Sequence, residues 1–252
     1  TIPDTVSPIK IKLQISREEN ATYYKKNIGD IVEIDLEEYV RGVVPSEVGN
    51  SPYETCKAQA VAARTVAVRN KANVLVDTTS LQAYRAPRNN AKLYPNAIKA
   101  VNDTYGQVLT YDGKVIDCYY SSSNGGSMRV PEHTWRLNLP LEQRGNSRPY
   151  YKEGADPWTV EPKNGHGIGM SQLGATKAAT LGISYVHILQ FYYKGVAITD
   201  YYNNKVVASP TSQYTEPTKP IEESEVPDMA ATVLYRAIVQ TSKTLSLNLW
   251  KR

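Results

Sequence analysis

Phenylalanine occurs once in these 252 residues, cysteine twice and histidine three times. Two cysteines, Cys56 and Cys118, allow one disulfide at most, and with so few histidines they argue against a closed Cys/His zinc cage. Long apolar runs are also missing. The longest, residues 58–68, is broken by Gln59 and Arg64 and falls well short of the roughly 20 residues a membrane span needs. Nor does one sign of charge dominate, because 29 Lys and Arg against 25 Asp and Glu leave +4 and a pI near 8.8. That balance suits at most a weak preference for an anionic surface. With no basic-aromatic motif in the chain, a nucleic-acid role is not supported.

What is present is the composition of a folded globular chain. It is 41% hydrophobic and 21% charged, which excludes both a disordered tail and a fibre. At about 150 residues per domain the length allows one large domain or one domain with accessories. Tyrosine is abundant, 19 residues with 3 tryptophans. Rings with a polar edge suit half-wet surfaces and flat polar ligands such as sugars, although any single tyrosine reads equally as the edge of a core. The chain opens on Thr1 and a polar lead-in containing Pro3, so an upstream segment such as a signal peptide is expected to have been removed.

Residues 9–15 alternate apolar and polar with a period of two, and 31–36 form a second strand. Helical composition over 37–44 is expected to stop at Pro45. The spacing of Ala58, Val61, Ala62, Thr65 and Val68 predicts a helix over 53–72, and Ala97, Ile98 and Val101 another over 95–105, ended by Gly106. Asp112-Gly113 between β-like runs 107–111 and 114–120 signals a hairpin. From 126 to 165, five prolines predict loop-rich surface. Two short helices over 171–181 and 184–193 and a strand over 196–201 follow. Without a regular βαβ repeat, the fold class is α+β. Residues 1–208 then read as one catalytic-type domain and 209–231 as a Pro/Ser/Thr/Glu-rich linker. Residues 232–252 read as the truncated start of another module, whose last eight residues resemble the first strand of bacterial SH3-type wall-binding domains.

Three constellations could carry chemistry. Glu47 lies between Val44 and Val48 just after a proline, where desolvation would raise a carboxyl pKa toward that of a glycosidic general acid; taken alone, a glutamate before a helix is more often a helix-terminal charge. Tyr119 to Gly126 is a hydroxyl- and amide-rich loop, able to approach sugar hydroxyls or to be a plain polar turn. The glycine-rich run from Gly165 to Gln172 leads into a helix. It fits neither a dinucleotide fingerprint nor a nucleophile elbow, and leaves His166 as a base, a substrate donor or a turn residue.

In order and together these segments resemble the SpoIID/LytB family of bacterial cell-wall proteins. The carrying residues are Tyr39-Val40-Arg41-Gly42-Val43-Val44-Pro45-Ser46-Glu47, Lys57-Ala58-Gln59-Ala60-Val61-Ala62-Ala63-Arg64-Thr65, Asp77-Thr78-Thr79 with Gln82-Ala83-Tyr84, Tyr120-Ser121-Ser122-Ser123 with Gly125-Gly126, and Gly165-His166-Gly167-Ile168-Gly169-Met170-Ser171-Gln172. They span about residues 31–202. The resemblance implies a peptidoglycan lytic transglycosylase acting on glycan strands, preferentially peptide-stripped ones, with Glu47 as acid and then base. It further implies that Gln59 and Arg64 line the cleft, and that Ser121, Ser123, Gly125, Gly126, His166 and Gln172 form the facing wall. Tyr84 would supply a stacking ring. Arg64 could hold a lactyl carboxylate or position Glu47, or be a structural ion pair. Asp35, Glu37 and Glu38 are expected on a solvated face.

Some family members bind zinc through Cys and His in the loop corresponding to residues 80–94. This stretch has neither, so no metal and no cofactor are expected. The SH3-like tail departs from the membrane-tethered sporulation proteins and points to a secreted, wall-associated remodelling enzyme. The rival from another class is a non-catalytic, wall-binding enhancer of a cell-wall amidase. A muramidase using water is a third reading.

Overall fold

The computed structural model describes residues 9–136 and 147–210. The SH3-like piece lies outside the described residues, as does the linker beyond residue 210. The described part is α+β, as the sequence indicates.

Strand β1 (Lys10–Gln14) buries Ile11 and Leu13 and exposes its alternate residues, the outcome of its period of two. It pairs antiparallel with β2 (Ile31–Asp35), Leu13 opposite Val32. Between them is a helix the sequence does not announce, α1 (Glu18–Tyr24), whose seven residues are too few for a periodic signal. Next come α2 (Leu36–Glu47) and α3 (Tyr53–Asn70), and then β3 (Leu75–Val76), which lies parallel to β1 and completes a three-stranded sheet. After α4 (Pro95–Asp103), the expected hairpin forms between β4 (Gln107–Tyr111) and β5 (Lys114–Val115). Its turn has positive φ at Asp112 and Gly113, +47° and +71°, as a two-residue primed turn requires.

The second run does not continue to 120 as one strand. It breaks, and β6 (Tyr120–Ser121) pairs elsewhere. The proline-rich stretch holds β7 (Ser127–Met128), the short helix α5 (Pro131–Trp135) and β8 (Gly154–Ala155), the two strands pairing antiparallel. Then β9 (Met170–Ser171) lies parallel to β6 and runs directly into α6 (Gln172–Thr180). Helix α7 (Tyr185–Tyr192) precedes β10 (Ala197–Asp200) and an unannounced last strand, β11 (Lys205–Ala208). These form a sheet ordered β11-β10-β4-β5.

Helix α3 is the axle of the domain. From Thr55 to Val68 only Lys57 escapes burial, so this helix has no solvent face to mark it as amphipathic. Cys56, Ala60, Ala63 and Ala67, spaced four, three and four, pack into the core shared with β1, β2 and α2. Ala58, Val61, Ala62 and Val66 pack into a second core with α6, α7 and β10. The alanines let both layers approach closely. The two cysteines are free, and each is buried.

Two expectations are corrected here. Pro45 does not stop α2; the helix runs on to Glu47. A proline removes one helical hydrogen bond, and here only the Arg41 carbonyl loses its donor, within a turn of the helix end. Ser46 Oγ meanwhile donates to the Gly42 carbonyl at 2.6 Å. Second, Glu37 is not on a solvated face but is 6% exposed, because it is the counter-charge of Arg64.

Candidate functional site

Glu47 is the last residue of α2, and three segments converge on it. The Ala83 amide donates to Oε1 at 2.6 Å, and Gln172 Nε2 donates to Oε2 at 3.0 Å. The Tyr120 hydroxyl lies beside the carboxyl, with its own proton given to Gln82 Oε1. Burial raises the Glu47 pKa above its ordinary value, against the opposite pull of its polar neighbours, the Ala83 amide first. No cation balances it in this set; all three neighbours are neutral.

Local geometry explains why the segments meet. Pairing of β6 with β9 sets Tyr120 opposite Met170 and Ser121 opposite Ser171. Gly169 permits that approach, since at φ +68° a Cβ there would stand 2.0 Å from the Tyr119 carbonyl oxygen. Ser171 caps α6, its Oγ accepting the Gly174 amide at 3.1 Å. Gln172, the first helical residue, is thereby turned onto Glu47. Behind it, Gln82 Nε2 donates to Tyr39 Oη at 3.0 Å while Gln82 Oε1 accepts the Tyr120 hydroxyl at 2.7 Å. Tyr120 is thus held from behind while it faces the carboxyl.

In front of Glu47 opens a cleft of about 590 Å³. Its walls include Tyr119, Tyr120, Ser121, Trp135, His166 and Gln172. Trp135 is 50% exposed and meets Tyr119 and His166 edge-on, at centroid distances of 4.9 and 5.5 Å. Burial lowers the His166 pKa, and its Nδ1 accepts the Ile168 amide at 3.0 Å, which puts the neutral ring's proton on Nε2. Among the described residues the one other carboxylate in the lining is Asp117, bound by Arg69 at 2.7 Å and Arg148 at 3.0 Å.

The structure therefore brings Glu47, Ser121, His166 and Gln172 together in the cleft and places the other expected residues elsewhere. Gln59 is fully buried beneath it, its Oε1 accepting from Gln172 at 3.4 Å. Its Nε2 faces the Tyr120 hydroxyl without a hydrogen bond of good geometry. Arg64 does not line the cleft. It is fully buried on the far side of α3, gripping Glu37 bidentately at 2.8 and 2.7 Å and donating to the carbonyls of Gln107 and Val101. Of its expected roles, the structure shows the ion pair. Tyr84 offers no ring to a ligand either; it is 1% exposed, stacks on Tyr39 at 5.1 Å and bonds the Tyr24 hydroxyl. Its ring lies where a Cβ on residue 42 would be, 2.3 Å from that position, so Gly42 is what admits it. Ser123 is buried and bonds the Glu161 carbonyl, while Gly125 and Gly126 carry the turn with φ of +71° and +80°. These three shape the loop from behind.

The SpoIID family model, described as stage II sporulation protein, matches residues 24–111. The amidase enhancer of Bacillus subtilis is 40% identical over 102 residues, which make up 40% of this chain but 14% of that protein. Stage II sporulation protein D of Bacillus amyloliquefaciens is 28% identical across 70% of this chain and 78% of its own length; that of Bacillus subtilis is 26% identical across 73% and 81%. Residues 24–111 thus match the SpoIID family, and the chain is similar to stage II sporulation protein D along most of its length. The family match takes in Glu47 and Ala83 but ends before Tyr120 and Gln172, so the far wall of the cleft is assigned from geometry.

Several residues of the site were not singled out from sequence. Gln82 sits two residues from Tyr84, the ring that was singled out. Tyr120 adjoins the serine run and could have been found as the residue entering it. Trp135 lies in a stretch without periodicity, and nothing there places it. The residues present do not fit the zinc site of some SpoIID proteins. Residues 80–94 have no Cys or His, and among the described residues no three His, Cys, Asp or Glu side chains converge.

Proposed function

We propose that this SpoIID-like protein is a peptidoglycan lytic transglycosylase, secreted and wall-associated, with Glu47 as its single acid and base. The observation that supports this reading is a desolvated carboxyl held only by neutral groups in a cleft whose other carboxylate is bound by two arginines. A two-carboxylate glycosidase needs a second free acid or nucleophile near the first. Asp117 is poorly suited to that part.

Protonated Glu47 gives its proton to the oxygen joining MurNAc C1 to GlcNAc, and the C1–O bond breaks. The C6 hydroxyl of the same MurNAc attacks C1, and the Glu47 carboxylate takes the hydroxyl proton. The products are a free GlcNAc end and a 1,6-anhydro-MurNAc end, with Glu47 reprotonated and no water consumed. The hydrogen bonds from Ala83 and Gln172 stabilise the carboxylate formed midway. Burial keeps them from holding it permanently ionised. Trp135, half exposed, offers a flat apolar surface to a pyranose.

The test is digestion of purified peptidoglycan, intact and amidase-pretreated, with products read by mass spectrometry. Anhydro-MurNAc ends are expected, more from the pretreated wall. Reducing ends would show a muramidase instead. Intact strands on both substrates would leave the enhancer reading that the amidase-enhancer likeness supports.

A further inference from the structure

Arg69 is, among the described residues, the only lysine or arginine lining the Glu47 cleft. It lies near the end of α3 with its side chain about half exposed, in contrast to the buried Arg64 five residues earlier. Its Nε is tied to Asp117 Oδ1 at 2.7 Å, which orients the guanidinium plane. Among the described residues, Nη1 and Nη2 have no hydrogen-bond partner. Asp117 does not neutralise Arg69 alone, because its other oxygen accepts Arg148 Nε at 3.0 Å; Arg148 in turn reaches Glu132 at 3.1 Å. Arg69 and Asp117 also line an adjoining depression of about 410 Å³ with Lys114, Arg148 and Asp112. Three cations there face two carboxylates, so the positive character continues out of the cleft.

A guanidinium with two free, parallel N–H groups is matched by a carboxylate, which accepts both, and far less well by an amide. We infer that Arg69 reads a free carboxylate on the saccharide bound in front of Glu47. Resting on the proposed reading of the substrate, that group is the lactyl carboxylate of a muramoyl residue from which the stem peptide has been removed. A stem peptide converts this carboxylate to an amide, erasing the charge and one acceptor, so Arg69 discriminates stripped from intact strands. Trp135 in the same cleft would carry the sugar face.

Binding separates this from catalysis. In the Glu47→Gln protein, calorimetric titration compares a peptide-free muramoyl-glucosaminyl oligosaccharide with the same oligosaccharide whose lactyl carboxyls have been converted to methylamides, at fixed salt. The free acid is expected to bind about tenfold tighter, and adding Arg69→Gln is expected to bring the two ligands level. No preference in Glu47→Gln, or a preference that survives Arg69→Gln, overturns the inference. Should Arg69→Gln fail to fold, Arg69→Lys keeps the charge but not the fork and is expected to lower the ratio; an unchanged ratio there overturns it as well. If the native protein leaves glycan intact while the preference and its loss are seen, the carboxylate site stands and the transglycosylase reading falls. If anhydro ends form while the ratio ignores Arg69, the site falls alone.

Discussion

Helix α2 begins and ends with a buried or half-buried glutamate, and the two occupy opposite electrostatic worlds. Glu37, in the first turn, faces the Arg64 guanidinium through two short hydrogen bonds and also accepts the Gly106 amide at 3.2 Å. Glu47, in the last turn, is held by a backbone amide and a glutamine, with the Tyr120 hydroxyl beside it. The Arg64 guanidinium ties Glu37, and with it α2, to α3. Neutral donors leave Glu47 able to exist in both protonation states, which acid-then-base chemistry demands. Burial alone does not make a carboxyl reactive; burial without a counter-ion does.

The comparison can be broken most sharply at Glu47. Glu47→Gln keeps the shape and the Ala83 hydrogen bond but cannot carry a proton, so glycan cleavage is expected to fall by about 10²- to 10⁴-fold. Circular dichroism should be unchanged. At the other end, Arg64→Met strands the Glu37 carboxylate in the core and should cost about 3–5 kcal/mol in urea unfolding. Adding Glu37→Gln should recover part of that loss, and no recovery would mean the pair is not the source.

Between these lies Gln172→Leu. Removing a donor to the carboxylate raises the Glu47 pKa further, so the basic limb of the pH–rate profile should move to higher pH while the maximal rate drops roughly tenfold. A limb that stays put would detach Gln172 from Glu47. The smallest effect is on stability. Because the folded pKa of Glu47 is raised, its contribution is fully present below the unfolded value and is lost as pH rises through the folded one. Glu47→Gln removes that loss, so its melting temperature relative to the native protein should be more favourable at neutral pH than at pH about 4. The opposite trend would mean an ion pair at Glu47.

Local patterns made much of the frame legible: the alternation of β1, the primed hairpin at Asp112-Gly113 and the glycines and serine leading into α6. Glu47 itself stood out through the family resemblance. Arg64 and Tyr84 were harder, because the motif that marks a residue does not say which side of a fully buried helix it faces. Helix α3 has two apolar faces, so its pattern could not tell a cleft arginine from a core one. Tyr84 is turned inward by the gap at Gly42, a contact across 42 residues that no local spacing encodes. The far wall depends on the β6–β9 pairing, made by two-residue strands that carry no periodic signal.

The most direct test of the difference between the two glutamates is a carboxyl ¹³C NMR titration, with the Glu47 resonance identified by its loss in Glu47→Gln. The Glu47 carboxyl is expected to titrate above the ordinary glutamate value of 4.5, in step with the basic limb of the activity profile. A Glu47 titrating at or below that value would contradict the account, since a carboxyl already ionised at the working pH has no proton to give the glycosidic oxygen.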